Sequence, residues 1–291
     1  MTTPIPLYYC KGLENFGDEL STYIVEKISK RPIVYAAATD NGKFVAVGSI
    51  LSYDVLHSDS LIWGTGTISK SACNFLPKIF PLTRSFPTFI RRLKNTNEKT
   101  ATVLAVRGPL TRRALLNEGI QCPEIYGDPA IVLPRLYRPN PMKTGKTGLI
   151  LHYSQESLIT KEMLSGIEKK QIKLISIHRN GIKQIEAFID EVCSCEKIFS
   201  TSLHGLIIAQ AYGIPAQWIE LNGIPIHRNA THKFNDYFLG VGAKPQSPYF
   251  INFRLDGITD LYKMPVKNSF LISKASIDDI FSAFPFKSIS T

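Results

Sequence analysis

Residues 199–215 constrain the fold of this chain more than any other stretch of its sequence. A short β-prone run is followed by a polar turn, and a second apolar run then leads to Gly213 and Pro215. This order predicts a strand, a turn, a helix and a turn into the next strand. Thr201 or Ser202 can cap the helix, Gly213 can end it, and Pro215 keeps the following residues out of helical conformation.

One histidine stands at the critical point of this stretch. His204 falls in the first turn of the predicted helix, where free backbone N–H groups and the positive end of the helix dipole favour an anionic ligand. A histidine in this position can also be a packed, hydrogen-bonded residue of the core. Position alone leaves both interpretations open.

The same pattern recurs along the whole chain. Apolar runs at 7–9, 44–47, 61–63 and 102–106, and again at 149–153, 172–178, 197–200 and 216–221, alternate with helical segments and glycine-bearing turns. Short buried strands that alternate with helices indicate a mostly parallel α/β sheet. The Pro-, Gly- and Lys-rich residues 134–148 read as a linker. We therefore predict two Rossmann-like domains that face each other across a cleft, at 1–138 and 148–265, and a tail with a helix at 266–291.

Composition points to an anionic partner. The chain has 34 basic and 24 acidic residues, a net charge of +10, which suits a phosphorylated metabolite, a nucleotide, a nucleic acid or an anionic membrane surface. No signal peptide or membrane span is evident, so we expect a cytoplasmic protein with reduced thiols. The five cysteines include no second pair with zinc spacing, and no metal site is predicted.

A basic, aromatic stretch occupies residues 76–99. It is either a solvated connection or a segment that contacts anionic lipid or the pyrophosphate of a membrane-linked acceptor. No helix-turn-helix, zinc-finger or RNA-recognition signature accompanies it, so we expect no nucleic acid partner.

Charged residues at other strand ends are further candidates. Arg107 follows a strand and precedes Gly-Pro and a helix, so its planar fork can bind a phosphate or a carboxylate, or form an ion pair between domains. Asp18 and Asp128 stand in comparable turns, where they can cap helices or accept hydrogen bonds from a sugar. The segment 227–237 contains Lys233 and has enough cationic side chains to bind an anionic donor or a glycan. In the structural alternative, residues 233–237 form a short surface helix with one buried ring.

Several short motifs occur in a characteristic order between residues 7 and 240. They are Asn15-Phe16-Gly17-Asp18, Gly64-Thr65-Gly66-Thr67, Val106-Arg107-Gly108-Pro109-Leu110-Thr111, Tyr126-Gly127-Asp128-Pro129-Ala130, Ser200-Thr201-Ser202-Leu203-His204-Gly205 and Lys233-Phe234-Asn235-Asp236-Tyr237. No single motif is decisive, but the ordered set resembles the polysaccharide pyruvyl transferase family.

The resemblance implies a glycosyltransferase-B-like pair of domains, with the acceptor on the N-terminal and the donor on the C-terminal side. It implies transfer of pyruvate from phosphoenolpyruvate to two sugar hydroxyls, with no cofactor, in the synthesis of exopolysaccharide or capsule. The acceptor would be a polysaccharide or its lipid-linked precursor at the cytoplasmic membrane face. By the same resemblance the catalytic residues are His204 and Arg107. Donor or acceptor contacts fall on Ser202, Leu203, Lys233, Asp18, Asn15, Gly64, Thr65 and Asp128.

Two other functions are compatible with the same residues. A glycosyltransferase of this architecture would use a nucleotide sugar, and a nucleotide diphosphate would then raise its melting temperature. A non-catalytic glycan-binding regulator would bind saccharides without releasing phosphate from phosphoenolpyruvate.

Overall fold

A computed structural model describes residues 3–12, 15–56, 58–68, 100–226, 230–267 and 269–286 of the chain. The basic stretch at 76–99 and residues 227–229 of the predicted binding segment lie outside the described residues. Within the described parts the protein is an α/β structure with two parallel five-stranded sheets, consistent with Rossmann-like domains.

The first sheet is built from the first third of the chain. Its strands are β1 (Ile5–Tyr8), β2 (Ile33–Tyr35), β3 (Lys43–Val45), β4 (Ser60–Trp63) and β5 (Thr102–Ala105), and they lie in the order β2-β1-β3-β4-β5. The second sheet contains β6 (Thr147–Ile150), β7 (Ile172–Leu174), β8 (Lys197–Ser200), β9 (Ala216–Leu221) and β10 (Tyr249–Ile251), in the order β10-β9-β8-β6-β7. Numbered within its own half, each sheet has the order 2-1-3-4-5.

Helices connect and cover these strands. They are α1 (Phe16–Ser29), α2 (Tyr53–Leu56), α3 (Pro109–Asn117), α4 (Tyr153–Glu156), α5 (Lys161–Lys169), α6 (Ile182–Ser194), α7 (Leu203–Ala211), α8 (Ala230–Gly240), α9 (Leu255–Thr259) and α10 (Lys274–Ser282), with 3-10 helices η1 (Pro129–Arg135) and η2 (Asp260–Tyr262). In the described part of the chain, no helix combines the length and apolar content that a membrane span requires.

The strand order creates a crevice at one edge of each sheet. In a parallel sheet of order 2-1-3-4-5, the connections after the first and third strands leave on opposite faces, and ligands bind at the carboxyl ends of those strands. In the first half this point lies between β1 and β3, and in the second half between β6 and β8. Helix α1 follows β1, and helix α7 follows β8, so both helices begin at a crevice.

The two halves share one continuous apolar core. Phe16 of α1 stacks on Phe188 of α6 with ring centroids 4.0 Å apart, and both rings are fully buried. The tyrosine hydroxyl of Tyr23 donates a hydrogen bond to Glu186 at 2.8 Å across the same contact. Helix α10 returns to the first half, where the indole N–H of Trp63 donates to the carbonyl of Ile280 at 2.8 Å. The sequence-predicted tail therefore packs against the first sheet.

Most predicted elements are present, with some differences in length. Strands β8 and β9 match their predicted limits, whereas the strand predicted at 172–178 ends at Leu174. The pattern missed the edge strands β2 and β10, because each has only three residues and a partly exposed sequence. The alternative that residues 233–237 form a surface helix is wrong, since Lys233, Phe234, Asp236 and Tyr237 are all buried in α8.

Candidate active site

The predicted site residues come together at the carboxyl edges of the two sheets. Val106 pairs with Tyr126 in a parallel bridge next to β5, which brings Asp128 to the same edge as Arg107. Backbone contacts join this edge to the second half: the N–H of Phe16 donates to the carbonyl of Ile177 at 2.8 Å. The start of α1 is therefore attached to the carboxyl edge of the second sheet.

His204 lies close to two aspartates that come from the first half. Its Nε2 is 3.6 Å from Asp128 Oδ2, and both atoms are buried without a hydrogen-bond partner among the described residues. The His204 side chain is 13% exposed and that of Asp128 only 1%. The Asp128 carboxylate thus faces the imidazole at the distance of an ion pair, which exists only while His204 is protonated.

The carboxyl group of Asp128 is held in place by the turn that carries it. Its Oδ1 accepts a hydrogen bond from the N–H of Ala130 at 3.0 Å, so Asp128 is the N-cap of η1. This leaves Oδ2 directed at His204. The predicted capping role of Asp128 is thus confirmed, and one oxygen remains for the histidine.

The opposite side of the imidazole rests on the start of α1. A Cβ atom on Gly17 would lie 2.1 Å from His204 Nδ1, so only glycine leaves room for the ring at this position. Asn15 Nδ2 donates to Asp18 Oδ2 at 2.9 Å. Burial raises the pKa of Asp18 above its ordinary value, while the Asn15 hydrogen bond and the charge of His204 oppose that rise. Asp18 is therefore a carboxyl group close enough to His204 for their charges to interact.

Local hydrogen bonds shape the turn that presents His204. Ser202 occupies the N-cap position of α7, as predicted, but its side chain makes no capping bond. Instead the Ser200 hydroxyl accepts from the N–H of Ser202 at 3.0 Å and donates to the Ser202 carbonyl at 2.8 Å. A Cβ on Gly205 would lie 2.4 Å from that hydroxyl, so glycine allows α7 to pack directly on the strand end. Leu203 is buried in the core.

Arg107 is fully buried and its guanidinium is bound by protein groups. Its Nε donates to Asp236 Oδ2 at 3.1 Å, and its Nη atoms donate to the Ser49 hydroxyl and to the carbonyl of Thr67. The Asp236 carboxylate also accepts from the N–H groups of Leu110 and Thr111, each at 2.9 Å. The ion pair between halves that the sequence left open is therefore present. Donor binding by Arg107 stays a prediction.

Lys233 is a second cation beside this ion pair. It lies on α8, is 9% exposed, and has its Nζ 5.5 Å from the centroid of the Phe234 ring. Burial above all, and then the positive charge of Arg107, lower its pKa from 10.5 to about 8, while Glu220 acts in the opposite direction. Two positive charges are thus held close together behind the carboxyl edge of the first sheet.

The glycine turn after β4 supports these groups through its backbone. Gly64 has a left-handed φ of +80°, and a Cβ there would lie 2.5 Å from Pro129 of the turn that carries Asp128. Thr65 is buried, and its hydroxyl donates to the carbonyl of Gly48 at 2.8 Å. Gly66 lies directly under the Arg107 guanidinium. In this structure Gly64 and Thr65 position the neighbouring turns, and their contact with substrate stays a prediction.

Two surface cavities of about 440 and 460 Å³ lie away from this site. One is lined by residues at the amino edge of the second sheet, including Thr147 and Lys197, and the other by the linker with Tyr137 and Tyr212. Neither is lined by His204, Arg107 or Lys233. The chemistry of the side chains, rather than cavity volume, therefore marks the candidate site.

Comparison with known proteins identifies the family. A family model described as polysaccharide pyruvyl transferase matches residues 15–222, which run from Asn15 at the start of α1 to the end of β9. The chain belongs to the polysaccharide pyruvyl transferase family. It is therefore a transferase, as the resemblance of the ordered motifs predicted. Of the residues discussed above, Lys233 and Asp236 lie beyond the matched range.

A viral relative shares much of the chain. An uncharacterised protein of Acanthamoeba polyphaga mimivirus is 26% identical over 247 residues, which cover 81% of this chain and 74% of the viral protein. Its description assigns no activity. The family match thus carries the functional information.

Sequence reasoning assigned no role to three residues that shape the candidate site. Asp236 appears in the sequence only as part of a quoted motif, although its carboxylate both binds Arg107 and caps α3. Gly17 and Thr67 also belong to quoted motifs, but no role was assigned to them. A glycine beside a conspicuous acid and a threonine in a glycine-rich turn were the available signals.

Proposed function

We propose that this transferase moves the pyruvyl group of phosphoenolpyruvate onto two hydroxyls of one sugar, forming a cyclic ketal and releasing phosphate. The observation that carries the proposal is the position of His204 at the start of a helix, 3.6 Å from Asp128 and close enough to Asp18 for their charges to interact. The acceptor is a sugar of a bacterial-type surface polysaccharide or of its lipid-linked precursor. No cofactor takes part.

Donor binding requires positive groups, because phosphoenolpyruvate carries a phosphate and a carboxylate. Lys233 is a buried cation, and the nearby positive charge of Arg107 disfavours its charged form. A donor anion would offset that repulsion. The first-turn N–H groups of α7, near Ser202 and Leu203, offer further donors to an anion. We propose that these groups hold the donor, and that Arg107 either contacts it or contributes its buried charge.

His204 supplies the proton that starts the reaction. Protonation of the donor's methylene carbon makes the adjacent enol carbon electrophilic, and a sugar hydroxyl adds there while losing its own proton. A second hydroxyl of the same sugar then attacks that carbon and loses its proton. The bond between this carbon and the phosphate oxygen breaks, and phosphate leaves with the electron pair. Asp128 stabilises the charged imidazole, and Asp18 is placed to accept a hydroxyl proton.

The arrangement of the halves suits this division of work. We propose that they form a glycosyltransferase-B-like pair, in which the second half, with the start of α7 and Lys233 of α8, holds the donor and the carboxyl edge of the first sheet receives the acceptor. A lipid-linked acceptor would be met at the cytoplasmic face of the membrane. The contacts of His204 with both halves support this assignment.

Phosphate release from phosphoenolpyruvate tests the proposal directly. Purified protein is incubated with phosphoenolpyruvate and a panel of free and lipid-linked oligosaccharides, and phosphate is measured with and without each acceptor. Acceptor-dependent release and a ketal product detected by mass spectrometry are expected. If a uridine or guanosine diphosphate raises the melting temperature and phosphoenolpyruvate does not, the enzyme is instead a nucleotide-sugar glycosyltransferase. Saccharide binding without any phosphate release would indicate a regulator.

A further inference from the structure

A pair of tyrosines, exposed Tyr35 and half-buried Tyr9, stands at the carboxyl edge of the first sheet. Tyr9 follows β1 and Tyr35 ends β2, and their rings meet edge to face with centroids 5.5 Å apart and an interplanar angle of 89°. Tyr35 is 44% exposed. We propose that this pair, with Lys11, is the subsite that holds the acceptor saccharide. The inference rests on the proposed function and adds the place where its acceptor binds.

Charge interactions connect this pair to the candidate active site. Burial above all, together with the negative charge of Asp18, raises the pKa of Cys10 to about 11. Burial also raises the pKa of Tyr8, with Cys10, Tyr35, Asp54 and Asp18 contributing. Asp18 in turn interacts with His204. Tyr9 directly follows β1, and Asp18, the carboxyl group that we propose accepts a hydroxyl proton, lies in the first turn of α1, which comes next in the chain; both therefore stand at the carboxyl edge of the first sheet.

The chemistry of the patch fits a sugar better than an apolar partner. A pyranose ring presents C–H groups on one face, which pack on the negative face of an aromatic ring, and hydroxyls around its rim, which need hydrogen-bond partners. Tyrosine offers both a ring and a phenol. Lys11 Nζ lies 5.3 Å from the centroid of the Tyr35 ring and supplies a further donor. Asp18 provides an acceptor at the inner end of the patch.

A second copy of the chain is a less suitable occupant. Strand β2 is an edge strand in which Val34 is 49% exposed, and such edges can pair with another chain. However, β2 has three residues, which is short for a stable intermolecular strand pair, and charged Lys11 stands beside it. Self-association is therefore treated as an outcome of the test.

Variants of Tyr35 separate these possibilities. Saturation-transfer NMR follows the binding of three glycosides in the absence of phosphoenolpyruvate: methyl β-galactopyranoside, methyl β-glucopyranoside and methyl α-mannopyranoside. With the acceptor found by phosphate release, KM is measured for acceptor and donor. Tyr35→Ala should abolish the saccharide signal and raise the acceptor KM at least about tenfold, with the donor KM within twofold. Tyr35→Phe keeps the ring and should stay within threefold of wild type for the acceptor.

Phe250→Ala is the matched control. Phe250 is 63% exposed on the edge strand β10 of the other sheet, so its loss removes an exposed ring without touching the proposed subsite. It should leave the saccharide signal and both KM values unchanged. Size-exclusion chromatography of each variant reports the oligomeric state.

The outcomes distinguish this inference from the proposed function. The subsite proposal is overturned if Tyr35→Ala leaves the acceptor KM unchanged. It is also overturned if none of the three glycosides gives a signal with the wild-type protein. A changed oligomeric state with unchanged acceptor KM assigns the patch to self-association and also overturns it. If wild type releases no phosphate with any acceptor, but the saccharide signal is lost in Tyr35→Ala, the reaction is wrong while the saccharide subsite stands.

Discussion

Asp128 Oδ2 lies 3.6 Å from His204 Nε2, and neither atom has a hydrogen-bond partner in the described part of the chain. Asp128 follows the first sheet, whereas His204 follows β8 of the second. Contact between the halves thus brings the pair together and leaves the imidazole with one buried side and one side against the start of α1. This relation gives the histidine a fixed orientation and a stabilising charge.

Replacing Asp128 by asparagine should separate its charge from its capping role. Asparagine can still accept a hydrogen bond from Ala130, so the melting temperature should change little. Loss of the negative charge should lower kcat by at least about 10²-fold, because the imidazolium loses its stabilising partner. Steady-state phosphate release checks this. A kcat within twofold of wild type would show that Asp128 does not act on His204.

Alanine at Gly17 should disturb the same histidine from the other side. The added Cβ would stand 2.1 Å from His204 Nδ1, so the ring must move and both kcat and melting temperature should fall. In a His204→Ala background the clash is absent, and alanine should instead stabilise α1 by up to about 1 kcal/mol over glycine. Thermal unfolding of the single and double variants measures this difference. Equal effects in both backgrounds would contradict the packing described.

The Arg107–Asp236 ion pair should be among the largest single contributions to stability. Both side chains are fully buried, so Asp236→Ala leaves an unpaired guanidinium and should lower the free energy of unfolding by about 3–5 kcal/mol. Glu124→Ala is the control, since the pair that Glu124 forms with Arg112 is exposed and should contribute less than about 1 kcal/mol. Urea unfolding compares the two. A similar small loss in both variants would be inconsistent with the buried pair.

Lys233 should make stability depend on pH in the alkaline range. Its pKa is about 8 in the folded protein against an ordinary 10.5, so between these values the unfolded chain binds more protons and stability rises with pH. The loss of stability caused by the buried charge is complete below about pH 8 and disappears near pH 10.5. Lys233→Met should therefore stabilise the protein at pH 7 by up to about 3 kcal/mol, with the gain shrinking toward pH 10. A gain that is constant with pH would refute a charged, buried lysine.

Sequence patterns predicted the parts of this molecule that depend on local preference. Strands β8 and β9 and helix α7 follow from an apolar run bounded by a polar turn, Gly213 and Pro215. The short edge strand β2 was missed, because three residues with two exposed side chains leave no periodic signal. The motif order identified the family, which the family match confirms.

Relations between distant residues were not accessible in the same way. Arg107 and Asp236 are 129 residues apart, and only the packing of α8 on the turn after β5 brings them together. Gly108 and Gly240 permit this approach, since a Cβ on either would overlap the opposing backbone. The two aspartates near His204 likewise depend on how the halves meet. Local sequence patterns do not predict that contact between the halves.

The catalytic role of His204 is the central claim, and one pair of measurements on His204→Ala tests it most directly. Phosphate release from phosphoenolpyruvate with acceptor gives turnover, and calorimetric titration with phosphoenolpyruvate gives the donor Kd. We predict that turnover falls by about 10²–10⁴-fold while the donor Kd stays within threefold, because the proton donor is lost and the cationic groups remain. A His204→Ala enzyme that releases phosphate at the wild-type rate would contradict the account.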